Sequence, residues 1–335
     1  MEYGKYIGKT VLKFLENNEI PATSVDFVAS HGHTVFHNPK EGYTFQLGDG
    51  ETTSSYFSWP FVCNFRTKDV ALGGQGAPLV PVGEKYLFNP HDICINLGGI
   101  ANIGLKTGGG SGHDICPCNY VTNMLAKQYN RDLEYDRDGE IASRGNVIQE
   151  IYDKLEALEF YQEGPPKSLG PDWINTNIIP LLDTKTYNIP DLMRTFVEHV
   201  ANRIATSCLE NYVQMRKRNR CHPETANVLV TGGGAFNKIL MQLLREKLKE
   251  NKMEIEEADS DTINFKEALI FGFLGLKCLL GEENIYSGIT GSRNNSVSGS
   301  IHRPIQSGST PTKFDKFFFQ LRRQRSLSMN YYDED

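Results

Sequence analysis

A run of apolar residues that halts on three glycines and then opens a helix constrains this chain more than any other feature. Residues 227–230 read as a buried strand that stops at Thr231-Gly232-Gly233-Gly234, a tight turn, and residues 236–248 as the helix that follows. The pattern recurs at 92–96, a strand that runs into Gly98-Gly99 and a second strand over 101–105. Further strands are expected at 25–29 and in a hairpin of 34–37 with 43–47. Helices are expected over 6–18, 119–128, 147–158, 191–218 and 265–280. The helix at 191–218 carries Leu192, Phe196, Val200, Ile204 and Cys208 on one face. Residues 108–112, Gly-Gly-Gly-Ser-Gly, read as a flexible turn. Strands that alternate with helices predict the α/β class.

A length of 335 residues suits two domains. Lys+Arg number 35 and Asp+Glu 41, so the net charge is 35 − 41 = −6. That balance argues against a general nucleic-acid or anionic-membrane binder. The longest apolar run, 268–280, contains Lys277 and is too short to span a bilayer. The opening MEYGKYIGKT has no apolar core of a signal peptide. Seven scattered cysteines form no disulfide ladder, which favours a reducing, cytoplasmic setting. Cys116-Pro-Cys118 lacks zinc-type spacing. Residues 305–335 are polar and charge-blocked, and disorder is expected there.

Polar motifs fall at strand ends and turns. They are Ser30-His31-Gly32-His33-Thr34, Gln46-Leu47-Gly48-Asp49-Gly50, Asn64-Phe65-Arg66-Thr67-Lys68-Asp69 and Gly73-Gly74-Gln75-Gly76-Ala77-Pro78. Singly, such His and Asp residues cap turns and such glycines supply positive φ. Together they suit a polyhydroxylated ligand held beyond strand ends. Asn96-Leu97-Gly98-Gly99 lets backbone amides approach a phosphate, and Thr231-Gly232-Gly233-Gly234 makes a plausible nucleotide contact. Neither is a dinucleotide fingerprint or a Walker A loop. Asp114, expected between a strand and the helix at 119, reads as a helix N-cap or as a general base.

These motifs resemble the anhydro-N-acetylmuramic acid kinase family over about residues 25–304. The matching segments are SHGHTVFHNP, TFQLGDG, NFRTKDVALGGQGAPLVP, INLGGIANI, HDICPCN, YDRDGEIASRG, PPKSLG, VTGGGAFN, KEALIFGFLG and TGS. Asp-Ile-Cys-Pro stands where the family has Asp-Thr-Gly-Pro. The resemblance implies an actin-like ATPase, ribonuclease H-like, two-domain sugar kinase fold. It implies the following division: a first-domain remnant over 1–88, a second domain over 89–286, a return segment over 287–304 and the tail. It implies ATP and Mg²⁺ as cofactors, a small anhydro sugar as substrate and a homodimer. The implied reaction opens 1,6-anhydro-N-acetylmuramic acid with water and phosphorylates O6, in peptidoglycan amino-sugar turnover. Asp114 then matches the base. Glu267 matches a second acid near the same water, or is an exposed helix residue. Gly98 and Gly99 would face the phosphates, with Gly232, Gly233, Gly234 and Asn237 towards the nucleotide. His33, Asp49, Arg66 and Asp69 are the sugar-side candidates. The family's opening phosphate hairpin, of the type Ser-Gly-Thr-Ser-x-Asp-Gly, has no counterpart before Tyr6. The expectation is therefore a first domain shortened at its N-terminus. Two alternatives stay open: a binding or scaffold paralogue with impaired catalysis, and a kinase for another 1,6-anhydro sugar such as levoglucosan.

Overall fold

The computed structural model describes residues 1–88, 91–105, 111–165, 167–218, 225–256 and 258–303. The expected disorder over 305–335 lies outside them. Ten strands occur among the described residues: β1 (Val28–Ala29), β2 (His33–Asn38), β3 (Tyr43–Leu47), β4 (Phe61–Cys63), β5 (Ile93–Leu97), β6 (Ile100–Leu105), β7 (Ser111–Pro117), β8 (Ala226–Thr231), β9 (Met253–Glu256) and β10 (Ser300–His302). The chain divides into two compact units. The first comprises Met1–Ala77 and the described residues from Phe271 onward, and the second comprises Pro78–Ile270.

In the second unit, five strands form one sheet in the order β7-β6-β5-β8-β9. The first three are an antiparallel meander, and β8 and β9 run parallel to β5. This is the ribonuclease H-like arrangement that the sequence led us to expect. β5 and β8 are mainly apolar because both of their faces are covered. Ile93, Ile95, Leu97, Val228 and Val230 are all buried. The helix Ile189–Arg218 packs on this sheet and buries Leu192, Phe196, Val200, Ile204 and Cys208, the face its periodicity predicts. Each such side chain contributes about 1.5–3 kcal/mol by leaving water. The helix begins where Asn188 Oδ1 accepts from the Asp191 amide at 2.9 Å, with Pro190 at its opening turn.

The first unit has a three-stranded sheet, β1-β4-β10, and the hairpin β2-β3. Phe57, Trp59, Phe61 and Cys63 form its small core. The hairpin turns at Asn38-Pro39-Lys40-Glu41-Gly42, where Asn38 Oδ1 accepts from the Glu41 amide and Gly42 takes a left-handed conformation, φ 77°. The strand expected at 25–29 is real but shorter, as β1.

One element corrects the sequence reading. Residues 108–110 lie outside the described residues, but Gly112 is not in a turn: it pairs with Gly104 inside β7. Asp114 therefore sits within a strand. The residue that precedes the helix Asn119–Tyr129 is Cys118, so Asp114 does not cap it.

Candidate active site

The glycine motifs of the second unit meet at one end of its sheet, beyond the C-termini of β5 and β8. Parallel pairing of β5 with β8 sets Asn96 opposite Thr231, so both strands end side by side. The Gly98-Gly99 turn and the Gly232–Gly234 segment follow directly. Gly232 has φ +83°, and a Cβ there would lie 2.6 Å from Asn96 Oδ1 and 2.9 Å from the Leu97 carbonyl. A Cβ on Gly234 would lie 2.7 Å from the Leu97 Cβ. These two positions are glycine because the strands are packed so closely. Gly99 and Gly233 differ, because a Cβ there would meet nothing nearer than 3.9 Å and 3.6 Å. The Asn119 side chain stitches this end by donating to the Leu97 carbonyl at 2.8 Å. The carbonyls of Gly98 and Gly99 accept from the Asn119 and Cys118 amides, at 3.0 and 2.9 Å. The turn is thus tied to the start of an 11-residue helix, whose N-terminal end attracts anions. Asn237 is the N-cap of the helix Lys238–Lys249, its Oδ1 accepting from the Leu240 amide at 3.0 Å.

Register exposes residues that the motif reading passed over. Asp114 pairs with Asn102, Asn102 with Asn96, and Asn96 with Thr231. Residues paired across strands share a face of the sheet. Four polar side chains therefore cross an otherwise apolar sheet in one row, one residue short of the Gly98-Gly99 turn at Asn96. The signal was present as Asn-x-Gly-Gly-x-x-Asn, but only strand pairing turns it into a row. A second segment fixes Asp114: its amide donates to the Lys167 carbonyl at 3.1 Å, and its Oδ2 accepts from the Leu169 amide at 2.8 Å. Glu267 lies in the same unit, exposed on the helix Ser260–Leu280.

The sugar-side candidates of the first unit separate into two sets. Arg66 and Asp69 belong to one buried cluster. Arg66 Nη1 donates to the Gly76 carbonyl at 2.7 Å, while Nε and Nη2 reach His31 Nε2 at 3.3 and 2.9 Å. Asp69 is fully buried, with Oδ2 accepting from the Gly76 amide at 2.7 Å and Oδ1 from the Thr290 hydroxyl at 2.6 Å. Burial, and then the Arg66 charge, push His31 down to about 4, so it stays neutral and accepts from the guanidinium. His31 also stacks on Phe271 with ring centroids 4.5 Å apart. His31 and Thr290 lie in motifs read from the sequence, but their pairing with Arg66 and Asp69 spans 35 and 221 residues and is invisible there. His33 and Asp49 stand apart from this cluster. His33 is exposed at the start of β2. Asp49 caps the helix Gly50–Ser54, and bonds from the Thr52 hydroxyl and amide hold its carboxyl below the usual range.

Among the described residues no group of three or more His, Cys, Asp or Glu side chains is placed to cage a metal ion. Nor is any helix among them long and apolar enough to cross a membrane. Cys116 and Cys118, both buried, have their thiols pushed up by burial, Cys118 to about 12, which makes them packing residues.

The sequence model of the anhydro-N-acetylmuramic acid kinase family matches residues 1–304, extending the resemblance to the first residue. A relative from Acinetobacter baylyi named anhydro-N-acetylmuramic acid kinase is 28% identical over 312 residues, covering 89% of this chain and 81% of its own. One of the same name from Caldanaerobacter subterraneus is 30% identical over 315 residues, covering 89% and 79%. Among solved structures, the activator of 2-hydroxyisocaproyl-CoA dehydratase from Clostridium difficile aligns over 80% of both chains at 11% identity and a TM-score of 0.40.

Proposed function

The chain belongs to the anhydro-N-acetylmuramic acid kinase family and is a phosphotransferase, and from that premise we propose that it opens 1,6-anhydro-N-acetylmuramic acid with water while phosphorylating O6 at the expense of ATP. The observation that carries the reading is the polar row Asp114–Asn102–Asn96–Thr231 beside the Gly98-Gly99 turn, in one sheet of one unit.

In this reading the Gly98-Gly99 turn presents backbone to the nucleotide phosphates, near the positive end of the helix Asn119–Tyr129, and Gly99 and Gly233 leave room for close approach. Mg²⁺-ATP supplies the γ-phosphoryl group. Bound Mg²⁺ would neutralise charge on the phosphates. Asp114, held by the Leu169 amide, takes a proton from water as the water oxygen bonds to C1 of the sugar. The C1–O6 bond breaks, and O6 accepts the phosphoryl group as its bond to the leaving ADP oxygen breaks. The carboxylate and the leaving oxygen act on opposite faces of C1, as in an inverting glycosidase. In the first unit the Arg66–His31–Asp69 cluster orders the polar loops, and His33 and Asp49 lie at their surface. The buried cysteines of the described residues suit a cytoplasmic setting.

The test is ADP release by the full chain with ATP and Mg²⁺, with and without sugar. We expect release that depends on 1,6-anhydro-N-acetylmuramic acid. Release that depends on levoglucosan instead would change the sugar, and release with neither would reject the reading.

A further inference from the structure

The second unit contains a polar pocket of about 290 Å³ on the other side of β7 from Asp114. Successive side chains of a strand point to opposite faces, so His113 and Ile115, which line the pocket, face away from the Asp114 carboxylate. His113 pairs with Ile103, which pairs with Ile95, so it ends an apolar row under the helix Ile189–Arg218. That helix lends Arg203, Ser207 and Asn211 to the pocket, and the segment after Tyr161 lends Lys167. A polar cavity cut into the edge of an apolar core is unusual, and the family reading gives it no task.

Its inner wall is built of donors. Lys167 Nζ donates to the Phe160 and Glu163 carbonyls, both at 3.0 Å, which leaves one of its three N–H bonds. Arg203 is fixed over the Tyr161 ring at 4.6 Å and by Nη1 donating to Glu156 Oε2 at 3.0 Å, yet its Nε is buried without a hydrogen-bond partner. The Ser207 hydroxyl lies 3.4 Å from His113 Nε2. Burial, and then the Lys167 charge, push His113 down to about 4, so it adds hydrogen bonding without charge. Lys167 in turn is held below its usual range by burial and then by Arg203, a strain that an anion between them would relieve. The carboxylates that line the pocket, Glu163 and Glu210, are exposed to solvent, where water and salt screen them.

We propose that this pocket is a second ligand site, distinct from the Asp114 row, that binds a small oxyanion, phosphate or carboxylate, between Lys167 and Arg203 with the Ser207 hydroxyl as a further donor. The proposal stands on these residues and not on the kinase reading, so the two fail separately.

The test is calorimetric titration of the full chain with sodium phosphate and, separately, sodium acetate, at constant ionic strength. Wild type is compared with Lys167→Met and Ser207→Asp, each checked for a native circular dichroism spectrum. The expected result is binding in wild type, weakened about tenfold or more in both variants, the size of one lost or opposed charge-assisted hydrogen bond. Tighter phosphate binding assigns a phosphorylated ligand, and tighter acetate binding a carboxylate. No binding of either anion by wild type, or equal binding in all three proteins, overturns the proposal.

Discussion

The two units build their candidate sites from different materials. In Met1–Ala77 with the segment from Phe271, side chains are tied to side chains and loops: Arg66 to His31, and Asp69 to Thr290 and the Gly76 amide. In Pro78–Ile270 the shape comes from backbone, with Gly232 and Gly234 packed on Leu97 and the Gly98-Gly99 turn bound to a helix start. The first site should therefore fail when a side chain loses a polar atom. The second should fail when a Cβ is added, apart from the single carboxylate of Asp114.

That carboxylate gives the largest expected effect. Asp114→Asn should lower turnover by at least ~10²-fold with sugar affinity nearly unchanged, the usual size of a lost general base. Steady-state kinetics with both substrates varied would check it, and near-normal turnover would leave Asp114 a strand residue only.

The glycines sharpen the contrast within one unit. Gly232→Ala places a Cβ at positive φ against Asn96 and Leu97, and should cost about 3 kcal/mol in urea denaturation. Gly99→Ala has open space and should change stability by under about 0.5 kcal/mol while weakening ATP binding. If both variants are equally destabilised, the division into packed and open glycines is wrong.

Acid should strike both units. His31 and His113 are each pushed down to about 4, so the folded chain stays neutral there while the unfolded chain takes up protons below about pH 6.5. Their contribution is complete above that pH and is lost as pH falls towards 4, about 3 kcal/mol for each. Denaturation midpoints at pH 7.5 and 4.5 should show the loss. His31→Gln and His113→Gln should each flatten part of the slope, and an unchanged slope in both would contradict the assignment.

A modest effect belongs to the first unit. Thr290→Val removes the hydroxyl that serves Asp69 and should cost about 1–2 kcal/mol, because it strips a partner from a buried carboxylate. Thr290→Ser should restore most of it. Equal loss in both variants would mean that packing, not the hydrogen bond, is at stake.

Legibility followed the same divide. The hairpin of β2 and β3 was readable because its turn residues fix φ locally, and the strands into Gly98-Gly99 and Gly232–Gly234 because apolar runs stop abruptly there. β7 was not readable: Ser-Gly-His-Asp-Ile-Cys-Pro has weak strand propensity, and its conformation is set by pairing with β6. β4, β9 and β10 are three or four residues long, too short for periodicity to register. Asp114 was readable as a candidate from its motif. Its neighbours Asn102 and Asn96 needed register, and its support from Leu169 needed a contact 55 residues away. In the first unit the motifs were legible as polar, but Asp69 emerged as a buried anchor of its loops, which only its partners reveal.

The central claim is that one catalytic event both hydrates C1 and phosphorylates O6. Mass spectrometry of the products formed from 1,6-anhydro-N-acetylmuramic acid, ATP and Mg²⁺ tests it most directly. The account predicts a single product heavier than the sugar by one water and one phosphoryl group, absent when Asp114 is Asn. A phosphorylated product that keeps its anhydro bridge, a hydrated sugar without phosphate, or no product at all would contradict it.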